Sequence, residues 1–126
     1  MPKTVIFSHK APRAIGPYSQ AIRKGDLLFI SGQIPIDPET GSIIDGGIEE
    51  QTKQVLKNID EILQESEFSK DDVLKTTIFL QSLADFHIVN SLYGEYFSAP
   101  FPARSCVEVS ALPKGSLIEI ELIATK

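Results

Sequence analysis

Between Ile48 and Leu63 the apolar side chains recur at helical spacing, and this stretch constrains the fold most. Ile48, Val55, Leu56, Ile59, Ile62 and Leu63 share one face, while Glu49, Glu50, Lys53, Lys57, Asp60 and Glu61 fill the other. It is the clearest helix in the chain, and an apolar stripe of that kind needs a surface to cover. Candidate surfaces come from strand-like runs on both sides. Ala21-Ile22 and Leu27 to Ser31 flank Lys24-Gly25-Asp26, whose glycine and aspartate suit a tight reversal, so a hairpin is expected there. Pro35, Pro38, Thr40-Gly41-Ser42 and Gly46-Gly47 then mark a loop that leads to the helix.

Val73 to Leu80 is short and rich in β-branched and apolar residues, which predicts a mostly buried strand. Ser82-Leu83-Ala84-Asp85 resembles a capping start, and Phe86, Val89, Leu92, Tyr93, Tyr96 and Phe97 repeat at three and four, so a second helix follows. Arg104 to Ala111 and Leu117 to Ala124 are the predicted closing strands, joined by Leu112-Pro113-Lys114-Gly115-Ser116. The order is hairpin, helix, strand, helix, two strands. With 126 residues, no repeat and no long linker, residues 1–126 are expected to form a single domain.

Composition narrows the function classes. Hydrophobic residues at 42% and charged residues at 23% describe a globular chain rather than a disordered one. Twelve basic against seventeen acidic residues give a net charge of −5, a field that repels nucleic acid and anionic lipid, so neither is an expected partner. Met1-Pro2-Lys3-Thr4-Val5 lacks the apolar core of a signal peptide, and no run approaches the roughly 18 apolar residues of a membrane span. A soluble, cytoplasmic protein is the expectation. The lone Cys106 has no partner for an intrachain disulfide, which agrees with a reducing compartment. His9 and His87 lie far apart and no other metal-ligand spacing occurs, so no metal is predicted.

Two places in the sequence could carry chemistry. Pro100-Phe101-Pro102-Ala103-Arg104-Ser105-Cys106 is a rigid lead into a strand, because each proline fixes its own φ and drives the preceding residue towards extended geometry. An arginine set there is either a bidentate carboxylate clamp or a surface charge that solubilises a strand end. In Leu117-Ile118-Glu119-Ile120-Glu121-Leu122-Ile123, alternation puts Ile118, Ile120 and Leu122 on one face and Glu119 and Glu121 on the other, with Leu117 and Ile123. Such carboxylates are either a solvated strand face or, held near apolar neighbours, groups whose proton is favoured by desolvation and which can do acid/base work near neutral pH.

Ala14-Ile15-Gly16-Pro17-Tyr18-Ser19-Gln20-Ala21, Ile30-Ser31-Gly32-Gln33-Ile34-Pro35, Asn90-x-x-Tyr93, Pro102-Ala103-Arg104-Ser105-Cys106-Val107 and Leu112-Pro113-Lys114-Gly115-x-x-Ile118-Glu119-Ile120-Glu121 together closely resemble the reactive intermediate deaminase A (RidA, YjgF-type) family. The resemblance runs through essentially the whole chain. It implies a chorismate-mutase-like α+β fold: a mixed β-sheet with two helices on one face, three subunits packed around an axis, and active sites in the clefts between them. A homotrimer fits the sequence, because a second sheet face carrying Leu117, Ile123, Val107 and Val109 has no further helix to cover it.

The reaction that the resemblance implies is cofactor-independent hydrolysis of short 2-imino acids and their enamine tautomers, 2-iminobutanoate and 2-iminopropanoate, to 2-oxo acids and ammonia. Such substrates arise from pyridoxal-phosphate enzymes. Arg104 matches the family's carboxylate-binding arginine. Glu119 matches the carboxylate that orients or activates water, and as the first glutamate of its block it is favoured over Glu121. Tyr18, Ser31, Gly32 and Asn90 fall on cleft-lining positions, drawn in part from a neighbouring subunit. Cys106 is taken as a small cleft-adjacent residue, since no histidine lies near it in sequence to make a thiolate.

Blander roles stand beside these: Tyr18 as a packing residue, and Gly32 as a backbone requirement after a strand. Asn90, a poor mid-helix residue, is expected to use its side chain for something specific. Two departures from the family pattern are Ser91, where glutamate is frequent, and Gln64-Glu65-Ser66-Glu67-Phe68, which ends the first helix without the usual glycine. The alternatives are a regulatory module that binds small carboxylates without turnover, and a nucleic-acid-acting or chaperone-like member of the family.

Overall fold

Alternating strands and two amphipathic helices are reconciled by a sheet that is covered on one side only. The computed structural model describes residues 2–126. Strands β1 (Thr4–Ile6), β2 (Ala21–Lys24) and β3 (Leu27–Gln33) come first, then a short ribbon of β4 (Ile36–Asp37) and β5 (Ser42–Ile43). Helix α1 (Ile48–Glu65), strand β6 (Val73–Leu80), helix α2 (Phe86–Tyr96) and strands β7 (Ala103–Glu108) and β8 (Ile118–Thr125) follow. The main sheet has the order β1-β2-β3-β8-β6-β7. Only β6 and β7 run parallel, and α2 supplies the crossover that a parallel pair requires. The sheet is therefore mixed, with both helices on one face.

Alternation decides which face that is. Along β8, Ile118, Ile120, Leu122 and Ala124 are buried beneath the helices together with Leu28, Ile30, Ile78 and Leu80. Val55, Ile59, Ile62 and Leu63 of α1 complete this core, each essentially without exposure. Among the described residues no helix covers the opposite face: Val5, Leu27, Phe29 and Val107 are exposed there, on the same face as Ile22 and Ile123. Between β2 and β3, Lys24 pairs with Leu27 across a two-residue turn in which Gly25 takes a φ of 61°, the left-handed conformation such turns need.

The structure departs from sequence expectation at several element ends. β1 and the β4–β5 ribbon, too short to show a period, stand where no strand was expected, the ribbon within the predicted loop. β7 stops at Glu108 rather than Ala111; the Val109 amide still reaches the Leu80 carbonyl at 2.9 Å, after which the chain turns towards Pro113. Leu117 precedes β8 instead of opening it. Its amide donates to Gln51 Oε1 at 2.8 Å and its side chain packs against the core, so it is not part of the uncovered face.

The first helix ends without glycine, yet it forms the turn that glycine normally serves. Glu67 N–H donates to Gln64 O at 3.0 Å, Phe68 N–H donates to Leu63 O at 2.9 Å, and Phe68 is buried beside the core. Glu67 holds the left-handed position, with φ 63°. That conformation costs a residue with a Cβ about 1 kcal/mol. Glu67→Gly is therefore expected to stabilise the protein by about 1 kcal/mol, read as a higher urea midpoint at fixed protein concentration. An unchanged or lower midpoint would mean that the glutamate side chain contributes more than its backbone costs.

Candidate active site

The parallel register of β6 and β7 decides where Arg104 goes. Thr76 lies opposite Arg104 and Ile78 opposite Cys106, so Arg104 and Cys106 point to the helix-covered face with Thr76 and Ile78. β7 is the sheet's edge, and α2 passes beside it. The guanidinium reaches that helix, where Nη1 donates to Asn90 Oδ1 at 2.8 Å. Its carbon stands 4.9 Å from the centre of the Tyr93 ring and 5.3 Å from that of Phe86, within cation–π range. Tyr93 is itself fixed, its hydroxyl 2.8 Å from that of buried Thr76. Burial pushes the Tyr93 hydroxyl above its ordinary pKa, against the opposing effects of the Thr76 bond and the Arg104 charge.

Among the described residues no carboxylate lies within ion-pair distance of Arg104. The result is an oriented, uncompensated cation at the wall of a cavity of about 410 Å³ lined also by Asn90, Tyr93, Gly94, Phe101 and Pro102. Cys106 is half-buried on the same face. Burial pushes its thiol up more than the Arg104 charge pulls it down, so it stays a thiol and not a nucleophilic thiolate.

Glu119 lies on the other side of the sheet. It pairs with Phe79 of β6, on the uncovered face, next to the irregularity between Ile30 and Gln33 where β3 slips against β8. That irregularity brings the backbone of Gly32 beneath the Glu119 carboxyl. A Cβ added to Gly32 would collide with the carboxyl group, lying 2.8 Å from its Cδ, whereas the φ of Gly32 is not in the left-handed region. The glycine is there for close approach, not for backbone freedom. Burial raises the Glu119 carboxyl above its ordinary pKa, and the charge of Glu121 raises it further.

Around Glu119 is a cavity of about 700 Å³, whose walls include Tyr18, Ser31, Gly32, Gln33 and Lys114. Tyr18 is 54% exposed, its ring folded over the turn so that its hydroxyl accepts from the Ile15 amide at 3.3 Å. Ser31 Oγ donates to Ser19 O at 2.6 Å.

Three buried carboxamides, which the sequence reading passed over, shape this cavity. Gln20 receives the Ser8 amide at 2.7 Å and donates to the carbonyls of Ser8, Ala11 and Pro12, holding the segment before Tyr18. Asn58 of α1 donates to Ile34 O and Ile36 O, and Gln51 of α1 receives Leu117 N–H. For Gln51 and Asn58 the one visible signal was a polar amide at a stripe position of α1, whereas Gln20 lies outside any element and had no period to mark it.

The candidate residues therefore fall into two groups. Arg104, Asn90 and Cys106 lie at the helix side of the edge strand; Tyr18, Ser31, Gly32 and Glu119 lie on the uncovered face. β6 lies between β7, which carries Arg104, and β8, which carries Glu119, and the cavity at Arg104 shares no lining residue with the cavity at Glu119. No group of three His, Cys, Asp or Glu side chains among the described residues is placed to hold a metal ion. Among the described residues no helix is long and apolar enough to cross a membrane.

Comparison with known proteins agrees with this architecture. Residues 8–126 match the family described as Endoribonuclease L-PSP. A RutC family protein of Pyrococcus abyssi is 57% identical over 126 residues, covering 100% of this chain and 99% of that protein. The human 2-iminobutanoate/2-iminopropanoate deaminase is 49% identical over 122 residues, covering 97% and 89% respectively. A crystal structure of a conserved Rid family protein from Yersinia pestis superposes with a TM-score of 0.96 at 54% identity, over 99% of this chain and 100% of that one. The chain belongs to the Rid family, whose members are also called RutC or L-PSP proteins.

The electrostatics of the uncovered face are open to direct measurement. Carboxyl-carbon NMR is expected to show Glu119 titrating above the ordinary glutamate range, and Glu121→Gln should bring that titration down by removing the second charge. A Glu119 signal that does not move in the Glu121 variant would discount the coupling between them.

Proposed function

We propose that the protein hydrolyses short 2-imino acids and their enamine tautomers, such as 2-iminobutanoate and 2-iminopropanoate, to 2-oxo acids and ammonia, in clefts shared by neighbouring subunits of a homotrimer. The observation that carries this reading is the uncompensated guanidinium of Arg104, held in place by Asn90, Tyr93 and Phe86. A site that spends three contacts on orienting one cation, and gives it no acidic partner, is suited to a ligand that brings the carboxylate. The kinship with a protein named as an iminobutanoate deaminase supports the choice of carboxylate.

The chemistry then asks for a water and one movable proton. In this reading Arg104 takes the substrate carboxylate in its fork, which fixes C2. The substrate reacts as its N-protonated imine, and Glu119 from the facing subunit accepts a proton from water as the water oxygen bonds to C2. The tetrahedral intermediate collapses as the C2–N bond breaks: nitrogen takes the proton back from Glu119 and departs as ammonia, while the hydroxyl proton passes to the freed Glu119 carboxylate and from there to ammonia, leaving the 2-oxo acid and ammonium. Raising the pKa of a carboxyl makes its carboxylate a stronger base for the water proton than an ordinary glutamate, which favours the first transfer. Because the base is the ionised form, the rate should rise as pH climbs through the raised pKa of Glu119, and in Glu121→Gln this rise should move to lower pH.

Two features support the shared cleft. The halves of the site face away from each other within one chain, and the sheet face carrying Val5, Leu27, Phe29 and Val107 is uncovered. Closed cyclic assembly buries such a face and can bring the halves of different copies together. A ribonuclease role, which the family description mentions, is opposed by the net charge of −5.

The test is ammonia release from enzymatically generated 2-iminopropanoate. Arg104→Lys should lose most activity with the fold intact, since a point charge does not replace a planar fork. Glu119→Gln should slow turnover by about 100-fold or more while binding of 2-oxobutanoate is largely kept. A binding module without turnover would need Arg104 but be indifferent to Glu119, so absence of ammonia release by the wild-type protein, with 2-oxobutanoate binding lost in the Arg104 variant and kept in the Glu119 variant, would favour that alternative.

Assembly has its own test. Sedimentation should show a trimer, and co-refolding inactive Tyr18 and Arg104 variants should restore a fraction of wild-type clefts. A fully active monomer would remove both the assembly and the shared site; a trimer without complementation would remove the shared site alone.

A further inference from the structure

The Arg104 side chain would not hold its direction by strand geometry alone. It sits on an edge strand, and a long side chain there has several rotatable bonds and open solvent beside it. Besides the Asn90 bond and the Phe86 ring, what limits it is the face of the Tyr93 ring, and what tethers that ring is Thr76. Arg104, Tyr93 and Thr76 form a closed triangle: Thr76 lies opposite Arg104 in the parallel ladder, its hydroxyl is 2.8 Å from that of Tyr93, and the face of the Tyr93 ring stands 4.9 Å from the guanidinium carbon. Thr76 has no exposure and Tyr93 is 3% exposed. Thr76 is the one polar side chain among the buried positions of β6, between Val73 and the pair Ile78 and Leu80.

A valine of the same shape would fill the space at Thr76. The hydroxyl has a separate effect: it satisfies the phenol of Tyr93 in a place where an unpaired O–H would be costly, and so fixes both the tilt and the height of the ring. The phenol oxygen points into the sheet towards Thr76 rather than into the cavity, so Tyr93 presents the cavity with its ring and not its hydroxyl.

We propose that Thr76 and Tyr93 are positioning residues for the carboxylate clamp: the buried hydroxyl pair locks the aromatic face on which the Arg104 guanidinium is oriented. Asn90 sets the in-plane rotation of the fork through Nη1, and the Tyr93 ring sets the plane itself. The inference rests on the proposed role of Arg104 in holding a substrate carboxylate, but its structural half stands without that role and is tested separately.

Two substitutions at Thr76 pull packing apart from tethering. Thr76→Val keeps the volume and loses the hydroxyl; Thr76→Ser keeps the hydroxyl and loses a methyl group. The first readout is the order of the Arg104 Nε–H bond by ¹⁵N relaxation, which needs no ligand. The second is the dissociation constant for 2-oxobutanoate by calorimetry.

Thr76→Val and Tyr93→Phe should each lower the order of Arg104 and weaken 2-oxobutanoate binding roughly tenfold, the scale expected when a binding group is loosened rather than removed. The double variant should be no worse than either single one, because both break the same bond. Thr76→Ser should retain most of the order and most of the binding. The proposal is overturned if Thr76→Ser is the more damaging of the two, which is the result packing alone predicts, or if Thr76→Val leaves both readouts unchanged. The role of Arg104 fails by a different sign: Arg104→Lys binding 2-oxobutanoate as well as wild type would remove the clamp, while the relaxation data would still decide whether Thr76 and Tyr93 hold the side chain.

Discussion

The register of β6 against its two neighbours is the constraint on which the rest of the structure depends. One strand pairs antiparallel with β8 and parallel with β7, so a single set of ladder hydrogen bonds places Glu119 opposite Phe79 and Arg104 opposite Thr76. Side chains in a strand alternate, and a slip of one residue would carry Glu119 into the core and turn Arg104 away from α2. That slip is opposed by the apolar residues between the polar ones. Ile78, Leu80, Ile118, Ile120 and Leu122 are all buried against α1 and α2, and none can turn outward without exposing a large side chain to water. The core thus determines the positions of groups that take no part in it.

Around that framework the chain uses buried polar groups sparingly, each with a bond partner, and no buried side-chain nitrogen or oxygen among the described residues is left without one. Gln51 and Asn58 tie backbone of other segments to α1, and Gln20 ties residues 8–12 to the approach to β2, which is how segments with no period of their own acquire fixed positions around the cavity of Glu119. Thr76 and Tyr93 do for a side chain what these amides do for loops.

Much of the fold was legible because its longer elements have clear periods. The stripe of α1, the repeat of α2 and the alternation of β8 each appear in the structure within a few residues of their expected ends. Three-residue β1 and the two-residue strands of the ribbon carry no period and were invisible. At the site, the proline-bounded lead drew attention to Arg104 and the alternation of β8 to Glu119 and Glu121 together. The choice of Glu119 and the clamp role of Arg104 came from the family resemblance, but none of these signals could assign the groups to opposite faces. That assignment depends on the parallel pairing of β6 with β7, two segments separated by a helix, and pairing direction leaves no mark on either segment. The close approach of Gly32 to Glu119 was hidden for a similar reason: it follows from an irregularity between β3 and β8 that neither strand shows alone.

The division of charged groups between two faces has a consequence for how such a protein varies over evolutionary time. Arg104 and its aromatic bed are supported by β6, β7 and α2, whereas Glu119 and Gly32 are supported by β3, β8 and the loops tied to α1. Outside β6, whose register both share, substitutions that remodel one support need not disturb the other, since effects at separated sites tend to add. If the two surfaces meet only between copies, the chain holds two modules under one genetic locus: a fixed anchor for the shared part of a ligand, and a separately adjustable wall for the part that differs. Drift in ligand preference could then proceed at the second without loosening the first.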